Sequence, residues 1–304
     1  MITTTLDITW MLDTVVFNTP SPGGWTHVID EQRVEGWHSS AGVRSNRVDR
    51  LQDNGSLRGP NYRSTKIIVL SGWTEGLDRF AVQDALTELA ALCSDPTQLY
   101  RLERSDARSD ANFYLMVELD DSIEIRYKQS RDQDGGYLEW DIQLAAPDPT
   151  KYWIQDLVDT MLEVGAPVAP VGGLNFTGGL NFTGGLNFGV SGSNAVFTIN
   201  NPGTAPLFLN FDVYGPTDGF EIRRLDNGRK LQVNRELFSG DVFFLNTKNK
   251  TARLGDQNYR GEMGEASWSS FVVSPGGSIT AYFAPYTSTP GQTRLVVSWN
   301  VGNY

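Results

Sequence analysis

The side chains that most often carry chemistry are scarce in this chain. Its 304 residues include two histidines, His27 and His38, and a single cysteine, Cys93. A tetrahedral zinc site needs several Cys or His at short spacing, and neither histidine has such a neighbour. No Gly-x-Ser-x-Gly elbow is present to expose a nucleophilic serine. Asp132-Gln-Asp-Gly135 begins like a calcium loop but lacks the first ligand and the glutamate at the twelfth position, so it reads as a hairpin turn. Glu118, Asp120, Asp121 and Glu124 crowd carboxylates together, as glycosidic cleavage requires, but their place at strand ends is that of solvated side chains. Both histidines read as surface or interface residues. Taken together, these residues point to no catalytic centre, no cofactor and no metal site.

Aromatic side chains offer the one binding chemistry. Tyr259, Trp268, Tyr282, Tyr286 and Trp299 fall in a strand-rich region, and rigid amphipathic rings on such a surface can stack on sugars. Tyr259 and Trp268 are the candidate carbohydrate contacts. Core or interface packing is the competing account of the same rings.

Charge is unevenly placed along the chain. The net charge is −11. Residues 1–170 hold 15 basic and 27 acidic side chains, a net of −12, whereas residues 171–304 hold 10 and 9, a net of +1. An acidic surface repels phosphate backbones, so specific nucleic-acid binding is not expected. No stretch of about 18 apolar residues is present, so no membrane-inserting helix is expected. Residues 1–17 lack a basic start and an apolar run, so no signal peptide is expected, and one cysteine fits a reducing compartment.

The elements that would carry these residues are mostly strands. Ser64–Leu70, Gln98–Glu103, Ala111–Leu119, Ser122–Lys128 and Tyr137–Leu144 are predicted strands of the first half. Asp78–Leu92 is the one predicted helix, with Val82, Ala85, Leu86, Leu89 and Cys93 on a single apolar stripe. A thiol on that stripe is a buried, inert one. Lys151–Leu162 fits a helix or an extended run. From residue 195 onward short strands alternate with turn clusters every eight to twelve residues, the pattern of a β-sandwich.

Between the halves stands a connector. Gly165-Ala-Pro-Val-Ala-Pro170 leads into three copies of a hexapeptide, Gly172-Gly-Leu-Asn-Phe-Thr177, Gly178-Gly-Leu-Asn-Phe-Thr183 and Gly184-Gly-Leu-Asn-Phe-Gly189. Paired glycines favour hinges, and Leu and Phe two apart share one side of an extended segment. The expected organisation is therefore a first domain over 1–164, a linker over 165–192 and a β-sandwich over 193–304. The expected fold class is mainly β, an α+β split barrel followed by a sandwich.

Gly42-Val-Arg, Tyr62-Arg-Ser-Thr-Lys-Ile-Ile-Val-Leu-Ser-Gly72, the helix after it, and Glu139-Trp-Asp-Ile-Gln-Leu-Ala-Ala-Pro-Asp-Pro-Thr-Lys-Tyr152 resemble the N-terminal domain of the distal tail proteins of long non-contractile-tailed bacteriophages, also called minor tail proteins. The Gly-Leu-Asn-Phe repeat is similar to the linker of relatives from phages of actinobacteria. The order Asn201-Pro-Gly-Thr-Ala-Pro206, Ser239-Gly-Asp241, Asn246-Thr-Lys-Asn-Lys-Thr-Ala-Arg-Leu254, Trp268, Ser274-Pro-Gly-Gly277 and Val297-Ser-Trp299 resembles their galectin-like C-terminal sandwich. The likeness spans nearly the whole chain.

This resemblance implies a non-enzymatic virion protein at the tail tip, assembled in the host cytoplasm. It implies a homo-oligomer, a hexameric ring, joining the tail tube protein to the tail-tip hub protein, with the tape measure protein nearby and a channel for DNA. Leu174, Phe176, Leu180, Phe182, Leu186 and Phe188 would then seat in apolar notches of a neighbouring domain, and the acidic domain would face the lumen. The competing function is a carbohydrate-binding adhesion module.

Overall fold

The computed structural model describes residues 7–50, 54, 56–108, 112–128, 137–154, 161–167, 195–289 and 291–304. The hexapeptide repeat, with its six candidate interface residues, and Asp132–Asp134 lie outside them. The fold is mainly β, and the chain divides into two compact units. One is Met1–Ile154 with Asn303–Tyr304, and the other is Gln155–Gly302. The division thus stands ten residues before the expected boundary at 164. The reason is the strand Met161–Gly165, which pairs with Arg294–Ser298 in the second unit.

The first unit is an antiparallel sheet in the order Val15–Phe17, Ile8–Leu12, Tyr100–Asp106, Phe113–Leu119, Tyr137–Ala146, Lys66–Gly76 and Trp25–Ile29. Alternation along these strands turns Trp10, Leu12, Leu102, Leu115, Val117, Leu138, Trp140 and Ile142 to one side, where all are buried. The sheet nearly closes into a barrel. Its two end strands meet through the Asn18 amide, which donates to the His27 carbonyl at 2.6 Å. The Asn18 side chain bridges the same seam, accepting from Ile29 N at 2.8 Å and donating to Ile8 O at 2.9 Å.

One helix, α1 (Arg79–Ala91), covers this sheet. Asp78 caps it by accepting from the Ala81 amide at 2.8 Å. Its buried residues Ala81, Val82, Ala85 and Leu89 are those of the predicted stripe. Cys93 follows the helix and is buried, and burial pushes its thiol up to about 12, so no thiolate forms near neutrality.

The second unit is a pair of sheets. One runs Met161–Gly165, Arg294–Trp299, Leu207–Tyr214, Val242–Asn246, Thr251–Leu254, Gln257–Asn258. The other runs Val196–Asn200, Ser278–Pro285, Phe220–Arg224, Lys230–Val233, Met263–Ala266. Their inward rings form the core: Phe211 meets Phe271 and Phe220 meets Phe243, both edge to face at 5.7 Å. The sequence pattern predicts a strand over Ser269–Val273, and the structure departs from it. Trp268–Phe271 is a 3-10 turn that buries both of its end rings, and only Val272–Val273 pairs.

Candidate functional site

Four groupings stand out, three in the first unit and one in the second. The first overturns a sequence expectation. His27 is buried, not superficial, because Trp25–Ile29 alternates and puts His27 on the inward face with Ile29. Its Nδ1 lies 2.7 Å from Thr74 Oγ1 and its Nε2 2.9 Å from Glu88 Oε2. Trp140 Nε1 donates to the same Thr74 oxygen at 3.1 Å, and Trp25 Nε1 donates to the same Glu88 oxygen at 2.9 Å. Burial holds the imidazole below its usual range, partly countered by Glu88. A neutral ring donating from Nε2 to the carboxylate and accepting from the Thr74 hydroxyl satisfies every member of this network. It is structural cement between sheet and helix.

The second grouping sits beside the segment from Asp30 to Gly42. Trp37 from this segment is buried and packs edge to face on Trp10, with ring centroids 4.9 Å apart. Lys66 is buried and donates to the Trp37 carbonyl at 3.0 Å, and Lys151 donates to the same oxygen at 3.3 Å. The two ammonium nitrogens are therefore at most 6.3 Å apart, the sum of those distances. Arg104 reaches the same place from the sheet, its guanidinium carbon 5.7 Å from the Trp10 ring centroid. It meets Glu31 at 3.5 Å, while its buried Nε has no acceptor. Trp10 Nε1 also donates to Glu31.

The charge balance of this cluster is lopsided. Three cations converge on one carbonyl and one carboxylate. Burial, then repulsion from Lys151 and Arg63, brings the Lys66 ammonium down to about 8. Burial and Arg104 lower Lys151 in the same sense. The exposed His38 nearby is held low by partial burial and by Arg104 and Lys151. A buried charge needs a partner to offset lost hydration, and the described residues supply too few. No sequence motif marks this cluster, since its members come from four separated segments.

The same unit bears an acidic cleft of about 500 Å³, lined by Leu92, Cys93, Pro96, Leu119, Asp120 and Asp121 among others. Asp120 and Asp121 are exposed, as strand-end carboxylates were expected to be. Among the described residues no three His, Cys, Asp or Glu are placed to hold a metal ion. No helix there is long and apolar enough to cross a membrane.

In the second unit the sequence-predicted sugar contacts are not surface platforms. Tyr259 is 9% and Trp268 6% exposed, so neither offers a free ring face. Exposed rings of this unit are instead Phe238, Tyr286 and Phe244, and Phe244 is the one that lies in a polar groove. Cross-strand register places it between Asp212 and Arg253, beside the row Asn210, Asn246 and Thr251. These side chains line a groove of about 540 Å³. Burial raises the Asp212 carboxyl above the usual carboxylate range. Phe244 was missed because an exposed ring within Val242-Phe-Phe-Leu245 reads as core until the register is known.

No protein-family model and no curated protein sequence matches the chain. The solved structures do give matches. The Dit protein of phage SPP1, described as a paradigm of the hub adsorption apparatus of phages infecting Gram-positive bacteria, aligns over 97% of this chain and 98% of its own, at 10% identity and a TM-score of 0.59. A component of the phage P2 baseplate in its activated conformation with calcium aligns over 97% and 98%, at 12% identity and a TM-score of 0.47. The chain has the SPP1 Dit fold, both units in order, across nearly the full length of each protein.

Proposed function

We propose that this chain is a structural, non-catalytic component of a bacteriophage tail tip. In this reading it forms a homo-oligomeric ring between the tail tube protein and the tip hub, with a channel that lets DNA pass. The observation that carries this is the shared architecture: barrel with one helix, then sandwich, matched end to end to a phage hub protein. The acidic excess of residues 1–170 supports a lumen that does not hold DNA. The Leu/Phe pairs from Leu174 to Phe188 would dock on a neighbouring copy. Antibody labelling of intact particles tests the role. Gold at the distal end of the tail is expected, and absence from the particle refutes it. Substituting Phe176, Phe182 and Phe188 by Ser should weaken assembly measured by mass; unchanged assembly would reduce the repeat to a spacer.

The Phe244 groove supports a second reading, a saccharide-binding adhesion surface. A half-exposed ring flanked by planar amide, carboxyl and guanidinium groups can stack on and hydrogen-bond a sugar. Glycan-array binding that disappears in Phe244→Ala would favour it, and an array signal insensitive to that change would reject this site.

A further inference from the structure

The face of the second unit that bears the Phe244 groove is ordered more finely than one exposed ring suggests. Strand register lays its side chains in two rows. One row is Ser298, Asn210, Asn246 and Thr251, four hydrogen-bonding groups on four neighbouring strands. The other is Val296, Asp212, Phe244 and Arg253, two residues further along the same strands, or roughly 7 Å away. Asn249 N donates to Asn246 Oδ1, and Asn246 Nδ2 donates to Asn210 Oδ1, both at 2.7 Å. The amide row is thus held in place, with the Asn210 N–H groups left to donate outward. Asp212 sits in the second row, part-buried between Val296 and Phe244. Burial alone raises its carboxyl, and among the described residues no hydrogen bond or cation counters that effect. The two arginines of this face serve elsewhere. Arg253 stands beyond Phe244, two strands or roughly 10 Å along the row. Arg294 lies over the Tyr214 ring at 3.9 Å and meets Glu163 at 3.5 Å.

We infer that this groove takes an amino sugar, with its ring stacked on Phe244 and its ammonium group paired with Asp212. The inference rests on the saccharide reading of the groove and names the class of sugar. Phe244, 44% exposed, offers a flat apolar face to the C–H side of a sugar ring. Asp212, beside that ring, lacks an opposite charge, and a protonated amine supplies one through a charge-assisted hydrogen bond. A sugar ring on Phe244 turns its edge hydroxyls toward the amide row, where Asn210 donates and Ser298 and Thr251 both donate and accept. Arg253, on the far side of Phe244, donates to a hydroxyl or an anionic substituent there. A basic peptide fits less well. The backbone groups of these strands are spent on their neighbours in the sheet, so the face gives an extended chain no strand to pair with.

The test is a glycan array probed with the full chain, built from matched pairs that differ only in carrying a free or an N-acetylated amine, at a pH where the free amines are charged. Calorimetry with the best free-amine glycan follows. Free-amine glycans should bind about tenfold or more tighter than their N-acetylated counterparts, and high salt should shrink the difference. Asp212→Asn should abolish the preference, leaving both members of a pair equally weak, whereas Phe244→Ala should lose both. Asp212→Asn removes a part-buried charge and should melt no lower than wild type, so its loss of preference reads binding and not unfolding. Equal binding within the pairs, a preference for neutral or acidic glycans, or a free-amine preference that survives Asp212→Asn would overturn the inference. So would trilysine binding as tightly as the free-amine glycans in an Asp212-dependent way, which would assign the groove to a basic peptide. The two claims separate at Phe244. Glycan binding that needs Phe244 but ignores the amine leaves the saccharide reading standing and removes only the amino-sugar assignment, whereas no glycan signal that depends on Phe244 removes both.

Discussion

Lys66 and Lys151 donate to one and the same acceptor, the Trp37 carbonyl, at 3.0 and 3.3 Å. Two ammonium groups on a single neutral oxygen is an arrangement that burial penalises and that only fixed geometry maintains. Its consequences for stability are measurable in the isolated chain.

Lys66 has a folded pKa of about 8 against 10.5 in an ordinary setting. Between these values the unfolded chain binds more protons than the folded one, so stability rises as pH goes from about 8 to about 10.5. Below that window the buried charge costs up to roughly 3 kcal/mol. Lys66→Met leaves Lys151 on the Trp37 carbonyl and should remove this share of the pH dependence. Urea unfolding across the window checks it: a variant with the full wild-type rise contradicts the assignment.

His27 behaves in the acid range. Its folded pKa lies below 6.5, so as pH falls past that value the unfolded chain protonates first and stability is lost. His27→Leu should destabilise by about 1–3 kcal/mol at neutral pH, because Thr74 and Glu88 lose a partner. It should also flatten the acid-side decline, seen by comparing unfolding midpoints on either side of the histidine range.

Asn18 holds the barrel seam with two side-chain hydrogen bonds at a backbone φ of 62°. Asn18→Ala removes both bonds and leaves a Cβ in a left-handed conformation, for an expected loss of about 2–4 kcal/mol. Asn18→Gly removes the bonds without that strain and should be the milder change in thermal melts. Unchanged melting of both variants would show that the side chain does not staple the seam.

Gly36 precedes the inserted Trp37 and has φ of 79°, where an added Cβ would stand 1.9 Å from the Ile67 carbonyl oxygen. Gly36→Ala should displace the segment and expose Trp37. A red shift of tryptophan emission is expected, and an unchanged spectrum argues against a seated ring.

Much of this molecule was legible in the residues themselves. Two-residue alternation marked Tyr137–Leu144, evenly spaced turn clusters marked the strands after residue 195, and the three-to-four spacing of Val82, Ala85 and Leu89 marked the helix and its buried face. Those signals are local, because side-chain direction follows from backbone period alone. The unequal charge of the halves was equally plain. What the residues alone determined, then, was the type of element, the face each would bury, and a mainly-β chain of two parts.

Only the tertiary structure decided which distant residues meet. Trp37 shares its carbonyl with partners 29 and 114 positions away, and His27 joins Thr74 and Glu88 across 47 and 61. It likewise buried Tyr259 and Trp268 while leaving Phe244 on a polar face. The physical reason is register. A period says that a side chain points inward or outward, but the neighbour it finds there depends on how strands slide against each other and where a loop is folded back.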